Sequence, residues 1–519
     1  MDTFVKNYWS LYLDFLKDFE KLNYKGFSLP YLCHLPSFII NREPIWEELQ
    51  DAKFARKLKN QVNDQSEFQE VFNKFVYSHK KKASVKNKDG KVVLHVDKLL
   101  RFPQDTVTDY FDPSNTIQLF STGKSKGQKA KPPAAAVSKT KGNKPESTTK
   151  IKKKKKAVPL SNTIIIKKEN VKRKNVVRPN KIMNKLPVYY FNNYATNTEK
   201  VVSQVQNQAK VMLKAYKNHH LYKHNQFQEW LLNNIATVIN QIEMSINFLN
   251  DVSVSCIVVS TTHSYKSRVL ALVAAKKGIP TICMQHGIIS SELGYIPKIA
   301  TIDAVYGNFE RDWFKKIGSP GKSLEIIGHP RFDQVYKRSV ITRDKFNRTL
   351  GLNPNRQTLM IVVRGDKDNN SWRSLIKTIS KKVNLNLVIK NYPSKKPHAL
   401  TKEFPFVYST QGYNIYDIFP NVDAVVAYSS TVGLEAMLAK KPVFILEETF
   451  VGYTGYYTSL GNLVQSDARK LGDEVRKYFT DVQSRSYAEN KRNKFLRYAY
   501  PSSTKSGERL KNLINRLIS

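Results

Sequence analysis

The chain has 519 residues, 41% of them hydrophobic and 11% aromatic, and a formal net charge of +42. That length is too great for one ordinary core, so two or more domains are expected, and the apolar fraction excludes a chain that is disordered throughout. Its three cysteines, Cys33, Cys256 and Cys283, have neither the pairing nor the spacing of a disulfide framework or a zinc site.

The opening segment, MDTFVKNYWSLYLDFLKDFE, carries charged residues every few positions. It lacks the unbroken apolar stretch of a signal peptide or spanning helix, and no later segment is apolar over a bilayer-length run. A soluble, cytoplasmic protein with reduced thiols is therefore expected. Within residues 1–120, KVVLHVDKLLRF and NTIQLFSTG are candidates for the first strands of an N-terminal α/β unit.

Much of the positive charge lies in residues 121–182, where only Glu146 and Glu169 are acidic. The segment buries too little apolar surface to offset its ordering entropy, so its first half is expected to be disordered. It reads either as a solvated linker or as a tether for an anionic polymer or an anionic membrane surface through Lys150 to Lys156. A nucleic-acid partner is disfavoured, because no recognised binding module accompanies the lysines.

Beyond the lysines, KLPVYYFNN is a strand candidate, and residues 197–250 show a long helical period. Then VSCIVVSTT, IPTICMQHG, ATIDAVYG and SLEIIGHP read as strands, separated by helices such as YKSRVLALVAAKKG and NFERDWFKKIG, each closed by glycine. The pattern restarts at residue 356 with RQTLMIVVRGD, LNLVIKNYP, FVYST, DAVVAYSS and PVFILEE as strands, again with helices between. Short apolar runs alternating with amphipathic helices specify parallel sheets covered on both faces. The expected fold is α/β, with two Rossmann-like doubly wound domains, 183–345 and 346–519, facing a cleft; the Lys-rich segment is an insertion or linker.

In such sheets ligands bind beyond the carboxyl ends of the strands. That singles out Gln285-His286-Gly287, His329-Pro330-Arg331, Arg364-Gly365, Lys390 and Ser429-Ser430-Thr431. Arginine forks match phosphate oxygens, which favours Arg331 and Arg364 as phosphate contacts. Glu292 follows the His-Gly turn at a distance a loop can close and is a base candidate beside His286. In AYSSTVGLEAMLAKK the hydroxyls can cap the following helix, or its N-terminus can cradle a phosphate with Glu435 on a ribose. GSPGKS is too short for a phosphate-binding Walker loop and no G-x-G-x-x-G occurs, which argues against an ATPase or a dehydrogenase. Asp366-Lys367-Asp368 suits a solvated turn better than a metal site, so neither metal nor cofactor is expected.

Taken in order, MQHGI, ATIDAVYGNFERDWFKKIG, LEIIGHPRFD, VIKNYP and YSSTVGLEAML resemble GT-B transferases of bacterial surface polysaccharides. The group resembled holds capsule polysaccharide (Kdo) transferases, CDP-glycerol glycerophosphotransferases and spore-coat polysaccharide proteins. The resemblance spans about residues 254 to 450 and implies His286 and Gly287 at the acceptor–donor cleft, His286 as a base or phosphate contact. It also implies that Ser429, Ser430, Thr431 and Glu435 hold the donor phosphate and ribose. One position departs from that pattern: Tyr392 stands where many relatives carry histidine, with Lys390 and Pro393 retained, and a tyrosine donates a hydrogen bond without positive charge.

The implied activity is transfer of a nucleotide-activated sugar or polyol onto an anionic polymer or lipid-linked acceptor, with Arg364, Lys390 and the Ser430-Thr431 helix start on the donor phosphate. Two alternatives stay open: a UDP-N-acetylglucosamine 2-epimerase-like enzyme, and a non-catalytic polyanion-binding protein using the lysine tract.

Overall fold

The computed structural model describes residues 1–40, 42–80, 89–122, 186–381, 383–394, 396–448, 450–501 and 504–519. The Lys-rich tract, with Lys150 to Lys156, lies outside the described residues. Strands β1 (Asn23–Tyr24) and β2 (Phe27–Ser28) form a small antiparallel hairpin. A seven-stranded parallel sheet follows, built from β3 (Lys91–Val96), β4 (Thr116–Phe120), β5 (Val188–Tyr190), β6 (Val254–Val259), β7 (Thr281–Met284), β8 (Ile302–Val305) and β9 (Leu324–Ile326). Its spatial order is β5-β4-β3-β6-β7-β8-β9. The second sheet has six parallel strands: β10 (Thr358–Val363), β11 (Asn386–Asn391), β12 (Val407–Ser409), β13 (Ala424–Tyr428), β14 (Val443–Leu446) and β15 (Val464–Gln465), in the order β12-β11-β10-β13-β14-β15.

The two doubly wound parallel sheets expected from the apolar pattern are thus present. Their central strands are nearly continuous apolar runs because helices cover both faces; every residue of β6 and of β10 is buried. Helices Tyr265–Lys276 and Asn308–Lys316 each run out at a glycine with left-handed backbone, Gly278 at φ 75° and Gly318 at φ 83°. Strand order reverses between β3 and β6 in the first sheet and between β10 and β13 in the second. These reversals open crevices at the strand ends, where doubly wound sheets bind ligands.

Three features depart from the sequence pattern. The helical stretch 197–250 is two helices, Glu199–Ala215 and Asn225–Asp251. Between them His219 turns the chain: its Nδ1 accepts from the backbone N–H of Leu221 (3.2 Å) and of Tyr222 (3.4 Å), and its ring stacks on Tyr222 at 3.6 Å. Residues 1–40 and 42–79 are largely helical, and the aromatic faces of Thr3–Asp18 and Gln65–His79 pack into one core with helices 199–215, 225–251 and 265–276. Finally, the last helix, Ser506–Ile518, packs on the first sheet. Its Leu510, Leu513 and Ile514 share a core with Val92, Leu94, Cys256, Val258, Ile282 and Met284, and Asp333 accepts from the Ser506 N–H at 2.9 Å. The apolar pattern alone leaves that helix with the second domain.

Truncating Leu510, which is fully buried, to alanine should lower the unfolding free energy by about 2–5 kcal/mol in a urea titration. A loss under about 1 kcal/mol would show that the last helix contributes little to the first-sheet core.

Candidate functional site

His286 is the second residue beyond β7, half-buried, with its ring stacked on Tyr295 at 5.2 Å and 10°. Burial pushes its pKa down to about 4; Arg101 works in the same direction, while Asp97 and the Ser260 backbone oppose. The imidazole is therefore neutral at pH 7, able to accept a proton but carrying no charge to offer a phosphate. Asp97 itself is held at the first strand reversal, where it accepts from the Ser260 hydroxyl at 2.5 Å.

The His-Gly turn is braced by Gln285. Its Nε2 donates to the Gly287 carbonyl (2.7 Å) and to Glu310 Oε1 (3.0 Å), and its Oε1 accepts from the Tyr306 N–H (3.2 Å). Glu310 also caps its own helix by accepting from the Gly307 N–H at 3.0 Å. The carboxyl is fully buried, and that burial raises its pKa to about 7. Gly287 faces the second domain: a side-chain carbon there would lie 3.2 Å from the Tyr295 hydroxyl and 3.7 Å from Thr431 Oγ1. The His286-Gly287 turn and the Ser-Ser-Thr turn thus meet across the cleft. A ladder beside them holds the domains in register: Thr454 N–H donates to Ser290 O (3.1 Å), Glu292 N–H to Gly452 O (3.0 Å) and Ser291 Oγ to Val451 O (2.9 Å).

Ser430 is the N-cap residue of helix Thr431–Leu438, yet its side chain makes no cap bond. The capping duty is taken by Tyr457, whose hydroxyl donates to the Ser430 carbonyl (2.6 Å) and accepts from the Leu434 N–H (2.9 Å). That ring needs the space at Gly433, where a side-chain carbon would meet the Tyr457 oxygen at 2.8 Å. The Ser429 hydroxyl is buried without a hydrogen-bond partner among the described residues. The Ser430 hydroxyl lies beside that of Tyr428. Both hydroxyls stand at a helix start and at the second strand reversal, the arrangement that suits an anionic ligand.

Glu435, one turn on, is buried and has both oxygens engaged. Arg331 Nη2 donates to Oε1 at 2.8 Å and the Tyr416 hydroxyl to Oε2 at 2.5 Å. Arg331 comes from the first domain, so this buried ion pair crosses the cleft. Its Nε is buried and has no partner among the described residues. His329 shapes the turn that delivers it: His329 Nδ1 accepts from the Arg331 N–H at 3.0 Å, and the His329 N–H donates to Tyr500 at 3.0 Å. Arg364 is exposed just past β10 and lies near Tyr428. Tyr392 is half-buried near Arg331, Tyr416 and Tyr428.

Two expected site residues point elsewhere. Both Glu292 oxygens accept from the N-terminal helices, from Trp9 Nε1 at 2.6 Å and Gln65 Nε2 at 2.9 Å. Glu292 is therefore a strut between the cleft loop and the helical layer, and it is not placed as a base beside His286. The Lys390 ammonium is buried and donates to the carbonyls of Tyr413 (2.6 Å) and Thr410 (3.5 Å), with burial lowering its pKa to about 8. It clamps the loop after β12 and does not reach for a phosphate. Conversely, Glu310, Tyr416 and Tyr457 carry much of the geometry. Only Glu310 has a sequence signal, the acid three residues after a helix-starting glycine. Among the described residues no group of three or more His, Cys, Asp or Glu side chains is arranged to hold a metal ion.

No family model matches the chain, and no curated protein matches it. Among solved structures, the wall teichoic acid polymerase TagF aligns at 12% identity and a TM-score of 0.44, covering 88% of this chain and 93% of that one. Anabaena HepE in complex with UDP and glucose aligns at 12% identity and a TM-score of 0.41, covering 83% and 98%. The UDP-GlcNAc 2-epimerase of Methanocaldococcus jannaschii aligns at 14% identity and a TM-score of 0.38, covering 55% and 82%. All three likenesses are distant.

Glu310 generates a pH prediction. Its pKa is about 7 when folded and near 4.5 when unfolded. As pH rises from about 4.5 to 7 the unfolded chain ionises there first, so the residue's contribution to stability is lost across that window. Glu310→Gln should remove this loss. Relative to the parent, the variant should gain on the order of 3 kcal/mol between pH 4.5 and 7 in denaturant titrations, and a gap that stays constant with pH would refute the assignment.

Proposed function

We propose that the chain is a transferase that moves a sugar or polyol phosphate from a nucleotide-activated donor to an acceptor hydroxyl. The observation that carries this is the meeting of the His286-Gly287 turn with the Ser429-Ser430-Thr431 helix start, where a side-chain carbon at Gly287 would lie 3.7 Å from Thr431 Oγ1 and the Ser429 hydroxyl has no partner among the described residues. One side presents a neutral imidazole; the other presents a helix N-terminus and hydroxyls. That is the polarity group transfer needs. The motif resemblance to surface-polysaccharide transferases agrees with it, and an intracellular setting follows from the nucleotide donor.

In this mechanism the acceptor oxygen bonds to the donor's anomeric carbon or phosphorus as the bond to the nucleotide phosphate breaks. The acceptor proton passes to His286, and the bonding electron pair leaves with the nucleotide phosphate. Negative charge grows on that phosphate at the Thr431 helix start, where backbone N–H groups and the helix dipole stabilise it. Arg331, a buried cation from the first domain, is paired with Glu435 of the same helix, and that pair keeps the two turns in register. With its carboxylate already tied to Arg331 and Tyr416, Glu435 offers a ribose only its remaining lone pairs.

Ser430→Ala with Thr431→Ala should weaken binding of CDP or UDP conjugates at least about tenfold by titration calorimetry, with little loss of stability because Tyr457 carries the cap. His286→Gln should keep the parent's melting temperature and nucleotide affinity and lower turnover about a hundredfold or more. Nucleotide binding that is indifferent to the Ser430 and Thr431 changes would overturn the donor assignment. A His286→Gln variant with parental turnover would overturn the base.

A further inference from the structure

Residues 97–102 leave β3 and cross the strand exits of the first sheet. At one end Asp97 Oδ2 accepts from the Ser260 hydroxyl, just past β6, at 2.5 Å, and its Oδ1 accepts from the N–H groups of Leu99 (2.7 Å) and Leu100 (2.9 Å). At the other end the Phe102 ring meets the His329 ring, beyond β9, at 6.1 Å and 65°. Asp105 then pairs with Lys337, further past β9. Strands β7 and β8 lie between β6 and β9 in the sheet. The segment therefore passes the exits of β7 and β8, and His286 stands at the first of them.

Arg101 lies on this crossing, half-buried. Its Nε donates to Lys98 O over a long 3.5 Å. Among the described residues that is its one hydrogen bond, and no carboxylate pairs with it. The adjacent acid, Asp97, has both oxygens engaged. The terminal guanidinium nitrogens have no partner and are not sealed in the interior. His329 adds a second donor. Its ring is 3% exposed, and its Nδ1 accepts from the Arg331 N–H at 3.0 Å. In a neutral ring that leaves the hydrogen on Nε2. Burial, then the charges of Arg331 and Arg101, hold the His329 pKa well below its ordinary value, so the ring stays neutral. Nε2 has no partner among the described residues, and it too keeps contact with solvent. The other buried cations of the cleft are taken, Arg331 by Glu435 and Lys390 by backbone carbonyls.

We propose that the Arg101 guanidinium and the His329 Nε2–H form a contact for a phosphate group of a bound substrate, on the first-domain side of His286. A guanidinium fork matches two phosphate oxygens, and a neutral imidazole N–H can donate to a third. The contact itself rests on these two side chains; its use in transfer rests on the reading above. In that reading the Thr431 helix start takes the leaving phosphate. A second contact at Arg101 would hold a phosphate carried by the acceptor, or another phosphate of the donor, against the wall that presents His286.

The test titrates inorganic phosphate, glycerol phosphate, CDP and UDP separately into the full chain, for the parent, Arg101→Met and Arg101→Lys. Arg101 has so few bonds that both variants should keep the parental melting temperature. Arg101→Met should weaken inorganic phosphate and glycerol phosphate at least about tenfold, and Arg101→Lys should recover part of that loss. Unchanged CDP and UDP affinity in Arg101→Met would then assign the phosphate to the acceptor, and a parallel tenfold loss would assign it to the donor. In the parent, the Arg101 Nε and His329 Nε2 resonances should move on phosphate addition while that of the exposed Arg356 stays; this readout needs no variant to fold. Arg101→Met binding all four probes like the parent, or unmoved Arg101 and His329 resonances, would overturn the site. Nucleotide binding that depends on Ser430 and Thr431 while no phosphate binds at Arg101 would remove this site and leave the transfer reading standing. Phosphate that binds through Arg101 in a chain that binds no nucleotide would keep the site and remove the transfer reading.

Discussion

The buried pair between Arg331 and Glu435 is the constraint on which the cleft depends. It joins a turn after β9 in the first sheet to the helix after β13 in the second, at 2.8 Å and away from solvent. Two desolvated charges repay their lost hydration only when the geometry is tight and the remaining lone pairs are met. Here the second Glu435 oxygen takes the Tyr416 hydroxyl, and the guanidinium lies 5.1 Å from the Phe332 ring centre. Removing either partner alone would leave an uncompensated buried charge, so the pair ties the two strand-end surfaces together.

With that register set, two turns that are otherwise far apart in the chain can meet at Gly287 and Thr431. Each is stiffened by side chains that lie behind it. Gln285 and Glu310 hold the His-Gly turn through three neighbouring groups, and Tyr457 satisfies the backbone at the start of the second-domain helix. Because Tyr457 does this, the hydroxyls of Ser429 and Ser430 are not consumed in capping. Support drawn from the second layer leaves the surface groups available for a ligand, which is how precise sites are usually built.

The first sheet shows the same division. Asp97 and Ser260 close the strand reversal, Glu292 ties the cleft loop to the N-terminal helices, and Arg268 ties those helices to the loop after β6. The N-terminal helices therefore brace the cleft loop as well as cover the sheet. Their aromatic core positions Tyr12 and Tyr31 around the Arg268 guanidinium, which no local pattern in MDTFVKNYWSLYLDF announces.

The sequence by itself determined the two parallel sheets, because a strand covered on both faces must be largely apolar and a helix between strands must carry a 3.6-residue period; VSCIVV and TLMIVV are short and rich in β-branched residues, which favours strand over buried helix. It also determined where strands end, and so brought His286, Arg331, Arg364 and Ser429 to Thr431 to strand exits. Partnership was beyond it. Glu292, Lys390 and Glu435 looked equally free in the sequence, yet Glu292 meets Trp9, Lys390 meets a backbone carbonyl and Glu435 meets Arg331. Each of those partners lies on a separate element, and only packing decides which one a buried charge finds. The last helix, which the sequence pattern leaves with the second domain, covers the first sheet for the same reason: its period shows that it has an apolar face, and only the tertiary structure decided which sheet that face covers.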